Sequence, residues 1–212
     1  MTSRGPEKRV RKAPAERRHE IVATAAQVGL VEGLECITLR RVADELGVRP
    51  GLVGHYFPAA DTLVAEAFTA ATMADLDTLL PERPDGSGDD SPRAALRRFF
   101  TLMSSTEFDN VSRLWLNARH LSRYRPGLRD HVVAQELLWC TRIEETITAG
   151  TASGDFTCAD PRAAAVRILV AIDGASAYIN TSAGRRGAPI DHLARTVAEA
   201  ELGLGAGALE AA

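Results

Sequence analysis

Apolar residues recur along this chain at spacings of three and four, and nowhere do they alternate with polar ones over a useful length. The pattern predicts an all-α protein of about nine helices. Its sharpest segment is Thr38 to Phe57, TLRRVADELGVRPGLVGHYF. Leu39, Val42, Ala43 and Leu46 fall at i, i+3, i+4 and i+7, on one helix face. Thr38 precedes that face and can cap it through its hydroxyl. Gly47 follows Leu46 and can adopt the left-handed conformation that ends a helix. Pro50 suits the first turn of a second short helix carrying Gly51 to Phe57, and Pro58 stops it. Two short helices across a tight turn containing glycine make a helix-turn-helix, whose second helix enters a DNA major groove. The alternative is an ordinary helical hairpin. Two glycines and a terminal His55–Tyr56 pair in so short a helix argue against it.

The remaining pattern frames that segment. A helix from Ala15 to about Val31 carries Ile21, Ala25 and Val28 on one side and ends at Gly33. After Phe57, Asp61 is placed to cap a long helix to about Leu80, with Leu63, Ala67, Ala70 and Ala71 on one face and Val64 and Phe68 beside them. Pro81 to Pro92, PERPDGSGDDSP, reads as a linker. Ser91 and Pro92 then start a helix to about Ser105. Further helices are expected over about 110–122 and 126–149. A turn region at 150–160 precedes a small-residue-rich helix over about 161–182. Gly184 and Gly187 break the chain before a last helix at about 189–202. The expected organisation is a basic arm (1–13), a reading head (14–60), a helical body (61–205) and a frayed tail (206–212).

Composition adds three points. Apolar content of 45% with 25% charged residues is ordinary for a globular protein. No apolar run approaches the roughly 20 residues that span a bilayer, and the charged N-terminal stretch does not read as a secretory signal. The expected setting is therefore cytoplasmic, with no membrane partner. Cys36, Cys140 and Cys158 are far apart and lack metal-ligand spacing, so they read as reduced packing residues. The net charge of −3 is unevenly spread: residues 1–60 hold ten Lys or Arg against seven Asp or Glu, which leaves −6 for the rest. A basic first part suggests contact with a polyanion. Arg4, Lys8, Arg9, Arg11 and Lys12 could touch phosphates, or simply form a solvated tail.

The residues Thr38–Val48, Pro50–Gly51, His55–Tyr56–Phe57, Asp61 and Leu63 resemble the signature of TetR-family transcriptional regulators. The Gly54–His55–Tyr56–Phe57 wording is most similar to the BetI-like branch. The resemblance covers about residues 18–68 and departs from the family pattern twice. Arg49 stands where members commonly have Ser or Thr, so the second helix loses its usual cap. Ala60 stands where members commonly have Lys, which removes a phosphate contact. The resemblance implies an all-α homodimer paired through its last two helices, a palindromic operator, and repression relieved by a small molecule of unknown identity. It also implies no cofactor and no enzymatic activity.

Within the head, Thr38 and Arg40 are candidates for phosphate contact. Arg49, Pro50, Gly51 and Leu52 would face the groove, and the resemblance adds His55 and Tyr56. Arg49 could read guanine bidentately or grip phosphate. Phe57, Leu46, Val42 and Val53 read as core. In the body, Trp115, Asn117, His120, Trp139, Asp173, Tyr178 and Asn180 fall on otherwise buried faces. Asp173 lies mid-helix, where an unpaired carboxylate would be costly. It could pair with Arg142 or His120 as a structural lock, or meet a cationic ligand beside Trp115 or Trp139. BetI-like proteins respond to choline, so the resemblance supports Trp115, His120, Trp139, Asp173 and Tyr178 as ligand candidates. The chain has no GxSxG, no HExxH, no phosphate-cradling glycine loop and no Cys/His cluster. The alternatives to a ligand-released repressor are a DNA-binding dimer without a small effector and an all-α ligand carrier or enzyme.

Overall fold

The computed structural model describes residues 13–82, 91–105, 108–181, 190 and 192–210. Most of the basic arm, most of the linker, and the Gly184–Pro189 break lie outside the described residues. Those residues form nine α-helices and no strand: α1 (Pro14–Glu32), α2 (Leu39–Leu46), α3 (Pro50–Tyr56), α4 (Ala60–Leu79), α5 (Pro92–Met103), α6 (Asp109–Ser122), α7 (Pro126–Ser153), α8 (Pro161–Thr181) and α9 (Leu193–Glu201). A 3-10 turn, Leu34–Cys36, joins α1 to α2.

Helix α4 is shared by two layers. One side packs on α1 of the head and the other on α7 of the body. Helix α7 is the axis of the body, with α4, α5, α6 and α8 around it, and α9 closes on α8. Leu63, Phe68, Leu76, Phe99, Ile143 and Ile168 are fully enclosed and join head and body in one core. Inside it, Thr72 of α4 bonds Gln135 of α7 at 3.0 Å, and Trp139 Nε1 donates to the Thr72 carbonyl at 3.3 Å. These bonds satisfy the polar groups that the α4–α7 contact buries.

Several expectations are corrected. Asp61 does not cap α4. Ala59 holds that position without a side-chain bond, and Asp61 lies in the first turn, 3.5 Å from Arg125. Gly150 does not end α7, which runs on to Gly154 in the left-handed conformation. Helix α8 is, by length and composition, long and apolar enough to cross a bilayer, contrary to the reading of short apolar runs. Its buried residues, among them Ala164, Ala165, Ile168 and Ile172, pack against α6, α7 and α9, while Val166, Val170 and Tyr178 stay exposed. Residues 206–210 do not fray. Leu209 is fully buried, and the Glu199 carboxylate accepts from the N–H groups of Gly207 (3.1 Å) and Leu209 (2.9 Å). The Ser91 cap on α5 is as expected, accepting from Ala94 N at 3.2 Å.

Asp75 of α4 is a destabilising element of this core. Its Oδ2 is buried without a hydrogen-bond partner among the described residues, and burial pushes the carboxyl up to about 7. The folded chain therefore holds this proton to higher pH than the unfolded chain does. The resulting stability is full below about pH 4 and drains away as pH rises through 7. Asp75→Asn should remove that slope. Its melting temperature should match the parent at pH 4 and exceed it at pH 8 by several degrees, reflecting about 1–2 kcal/mol after screening. Identical melting curves at pH 8 would show that Asp75 is not strained.

Candidate nucleic-acid interface and ligand cavity

The head is built so that one face is free. Thr38 caps α2, its hydroxyl accepting from Arg41 N at 3.0 Å. Gly47 takes φ 63°, a conformation that costs most residues energy but not glycine. Val48 N then bonds the Ala43 carbonyl at 2.9 Å, which turns the chain into α3. Val42, Val53 and Phe57 are buried and pin α2 and α3 to α1. What remains outward is the expected surface. Thr38, Arg40, Arg49, Pro50, Gly51 and His55 are exposed, and Leu52 and Tyr56 are half-buried. As the sequence implied, Arg49 occupies the α3 N-cap without a side-chain cap bond.

The cations of the head divide into two groups. Arg17 pairs with Glu20 and Arg18 with Glu66. Arg41 grips Glu32 with two nitrogens, at 2.6 and 3.2 Å, and Glu45 at 2.7 Å. This clamp holds the Glu32 carboxyl below the usual carboxylate range. Arg40 reaches Asp44 only at 3.9 Å and is largely exposed. Arg49 meets no carboxylate among the described residues. Arg40 and Arg49, at the starts of α2 and α3, are thus the outward cations.

The body holds a cavity of about 360 Å³ between α6, α7 and α8. Trp115 and Trp139 form one wall, edge to face at 6.0 Å. Val133, Leu137, Val166 and Val170 form an apolar rim and are all well exposed. Its charged lining is Arg119, Glu136, Arg162 and Asp173, of which Arg119 makes the most contacts across the cavity walls. Arg119 Nε donates to Glu136 at 2.9 Å, and Nη1 and Nη2 fork onto Asp173 at 2.9 and 2.8 Å. The guanidinium lies 4.9 Å over the Trp115 ring. Burial pushes the Asp173 carboxyl up; Arg119 opposes this and Glu136 adds to it.

Asp173 is locked as anticipated, but by Arg119. Arg142 faces the other way, donating to the Leu80 carbonyl at 2.6 Å and to Glu82 at 3.0 Å. His120 is exposed and stacks edge-on with Tyr124. Of the five ligand candidates, Trp115, Trp139 and Asp173 line the cavity, whereas His120 and Tyr178 do not. Both point outward because α6 and α8 turn their opposite faces to the core. Asn117 leaves the cavity wall as well. Its side chain accepts from Leu34 N at 2.8 Å, tying α6 to the turn that feeds α2. Asn180 donates to Ser112 Oγ at 2.8 Å. Arg119 and Glu136 were missed, although each lies one helical turn from a tryptophan, Arg119 four residues after Trp115 and Glu136 three before Trp139. No group of three His, Cys, Asp or Glu side chains that could hold a metal occurs among the described residues.

Residues 92–203 match the C-terminal domain of BetI-type transcriptional repressors. The chain belongs to the BetI-type branch of the TetR family. It is a transcriptional regulator, not an enzyme. The HTH-type transcriptional regulator BetI 2 of Chromohalobacter salexigens is 38% identical over 81 residues, 38% of each chain. The match thus spans well under half of that relative. Among solved structures, a TetR-family regulator from Rhodococcus superposes with a TM-score of 0.70 at 23% identity, over 88% of this chain and 96% of its own. A protein from Saccharomonospora viridis, described as a transcriptional regulator and crystallised with choline, gives 0.69 at 24% identity, over 86% and 94%. At these identities the superpositions establish the fold.

Proposed function

We propose that this BetI-type regulator is a homodimeric repressor that binds a palindromic operator through α2 and α3 and leaves it when an organic cation fills the α6–α7–α8 cavity. The observation that carries the DNA reading is Arg49 at the solvent-facing start of α3, without a carboxylate partner among the described residues, on a head whose other arginines, Arg40 excepted, are held by carboxylates. Thr38 and Arg40 would hold phosphate, while Arg49, Pro50, Gly51 and Leu52 enter the groove. His55 and Tyr56 border the same surface. Such a protein meets chromosomal DNA, which agrees with a cytoplasmic setting.

The effector reading rests on the cavity chemistry. The lining holds two carboxylates, Glu136 and Asp173, against two arginines, Arg119 and Arg162, the latter paired with Glu144 outside the cavity. A positive charge is therefore favoured by the two indole faces, and by the carboxylates only where Arg119 yields them, and the apolar rim favours a hydrocarbon part. The choline complex of the Saccharomonospora relative agrees in chemistry. Helix α6 offers the route to the head, because it carries Trp115 and Arg119 in the cavity wall and Asn117 on Leu34. A cation that binds one α6 position better than another would shift the head accordingly.

Dimerisation is supported by α8. Val166, Val170, Gly174, Ala177 and Tyr178 make an exposed row along it. Gly174 is mid-helix, where it costs about 1 kcal/mol against alanine. A Cβ there would meet nothing within 4 Å among the described residues, so no contact among them demands the glycine. That freedom supports close approach of the same helix from a second copy. Helix α9 would complete a four-helix contact. Gly174→Leu should convert a dimer to monomers in sedimentation velocity at micromolar concentration while leaving the helical content unchanged. A Gly174→Leu variant that dimerises as tightly as the parent would move the interface elsewhere.

The DNA reading is tested by selecting duplexes from a random pool and measuring affinity by anisotropy. The selected sites should be inverted repeats with half-sites roughly 34 Å apart or a near multiple. Arg49→Ala should weaken binding about tenfold, in the range expected for one base or phosphate contact. Selection that enriches no sequence, with Arg49→Ala indistinguishable from the parent, would end this reading.

A further inference from the structure

We infer that Arg119 is a built-in occupant of the effector site: its guanidinium sits where the positive charge of the ligand belongs, and a cation binds by taking its place. This deepens the effector reading above and rests on it. Three contacts converge on one group. The guanidinium lies 4.9 Å over the Trp115 ring, within the range at which a cation is held by an indole face. It pairs with Asp173 through a two-pronged contact and with Glu136 through Nε. The cavity extends beyond it along Val133, Leu137, Val166, Leu169 and Val170.

The arrangement has a chemical logic. Removing a half-buried cation from two half-buried carboxylates is unfavourable, because the acids are left uncompensated, though solvent reduces the penalty. An incoming ammonium reduces that penalty, since one positive charge replaces another beside Asp173 and Glu136, although a quaternary ammonium does not replace the N–H donors of Arg119. A neutral or anionic ligand gives no such compensation, so Arg119 stays put and the aromatic wall remains covered. Arg119 therefore acts as a selectivity element. It lowers apparent affinity for every ligand by the fraction of time it leaves the cage open, and it rejects those that carry no positive charge. Asp173 is on α8, Glu136 on α7 and Arg119 on α6. The exchange therefore also releases the only clamp, among the described residues, that joins all three cavity helices.

The chain has two tryptophans, and both line this cavity, so their fluorescence reads the site directly. The probes are tetramethylammonium and benzyltrimethylammonium, titrated into the full-length dimer. Arg119→Met, which keeps an apolar stem and loses the charge, should bind benzyltrimethylammonium at least tenfold more tightly than the parent. Arg119→Lys, which keeps a cation, should stay within threefold. Glu136→Gln should reverse most of the gain when added to Arg119→Met. Equal or weaker binding by a folded Arg119→Met protein overturns the role of Arg119 while leaving the cation site itself in place. Absence of binding by both the parent and Arg119→Met overturns the cation site as well. Should Arg119→Met fail to fold, a crystal structure of the unaltered protein with benzyltrimethylammonium decides the matter. An ammonium over Trp115 with the guanidinium displaced supports the inference, and a guanidinium still on Trp115 refutes it.

Discussion

Replacing Phe57 with alanine is expected to destabilise the protein by about 3–5 kcal/mol, the usual effect of emptying a fully buried aromatic site. Phe57 closes α3 and is only 1% exposed. Its ring carries the Arg18 guanidinium at 4.8 Å, and Arg18 in turn holds Glu66 of α4 at 2.6 Å. The ring thus supports three elements at once: the end of α3, the face of α1, and the start of the long helix shared with the body. Loss of the ring leaves a void and removes the platform under Arg18. Urea unfolding should show the drop, and hydrogen exchange should show it first in α2 and α3, which have little other core. DNA affinity should fall with it. Phe57→Leu, which fills most of the volume, should lose no more than about 1.5 kcal/mol. A Phe57→Ala protein that melts with the parent would mean that the head does not depend on this contact.

The second large effect belongs to Gly150. On helix propensity alone, Gly150→Ala would stabilise by about 1 kcal/mol. The structure predicts the opposite sign. A Cβ at 150 would lie 2.2 Å from two carbons of the Phe156 ring, which is itself buried. Phe156 N bonds the Gly150 carbonyl at 3.1 Å, so ring and backbone move together and cannot separate cheaply. Overpacking of this kind costs about 1–3 kcal/mol and can exceed it for a contact so close. Gly150→Ala should therefore lower stability by about 2–3 kcal/mol, or several degrees in melting temperature. Trimming Phe156 to alanine in the same chain should make the two changes strongly non-additive. An alanine variant more stable than the parent would show that the ring can leave without loss.

Gly150 also shows where sequence reasoning stops. A glycine after a long apolar pattern reads as a helix terminator, yet α7 continues to Ser153. The glycine is present because an aromatic ring six residues later needs the helix backbone as its floor. One-dimensional pattern carries no sign of that. Local chemistry was far more legible. The Thr38 cap, the Gly47 turn, the Ser91 cap and the buried Val42, Val53 and Phe57 are all decided within a few residues of themselves. The cavity was half legible. Trp115, Trp139 and Asp173 stood out because each is unusual on an apolar face. The partner of Asp173 did not, because Arg119 is 54 residues away and the crossing of α6 over α8 decides which of several cations reaches it. The buried tail was missed for the same reason. GLGAGALEAA is weakly patterned, and residues 203–210 are fixed by contacts that pattern does not show: the Glu199 carboxylate facing two backbone N–H groups, the Arg195–Glu210 pair at 2.8 Å and the burial of Leu209.

The internal pairing of Arg17, Arg18 and Arg41 has a consequence for how ionic strength acts on this regulator. Between residues 13 and 60 the chain has five arginines against six acidic residues, a net −1. The folded head therefore carries no electrostatic surplus of its own. The whole positive excess of the first sixty residues resides in residues 1–12, with five Lys or Arg and one Glu. Displacement of counterions from a duplex, and with it the steepness of the affinity–salt relation, is then expected to come mostly from those twelve residues, with Arg40 and Arg49 adding a smaller share. Deleting them should flatten that relation while leaving the preferred base sequence intact, so capture and discrimination reside in separate stretches of the chain.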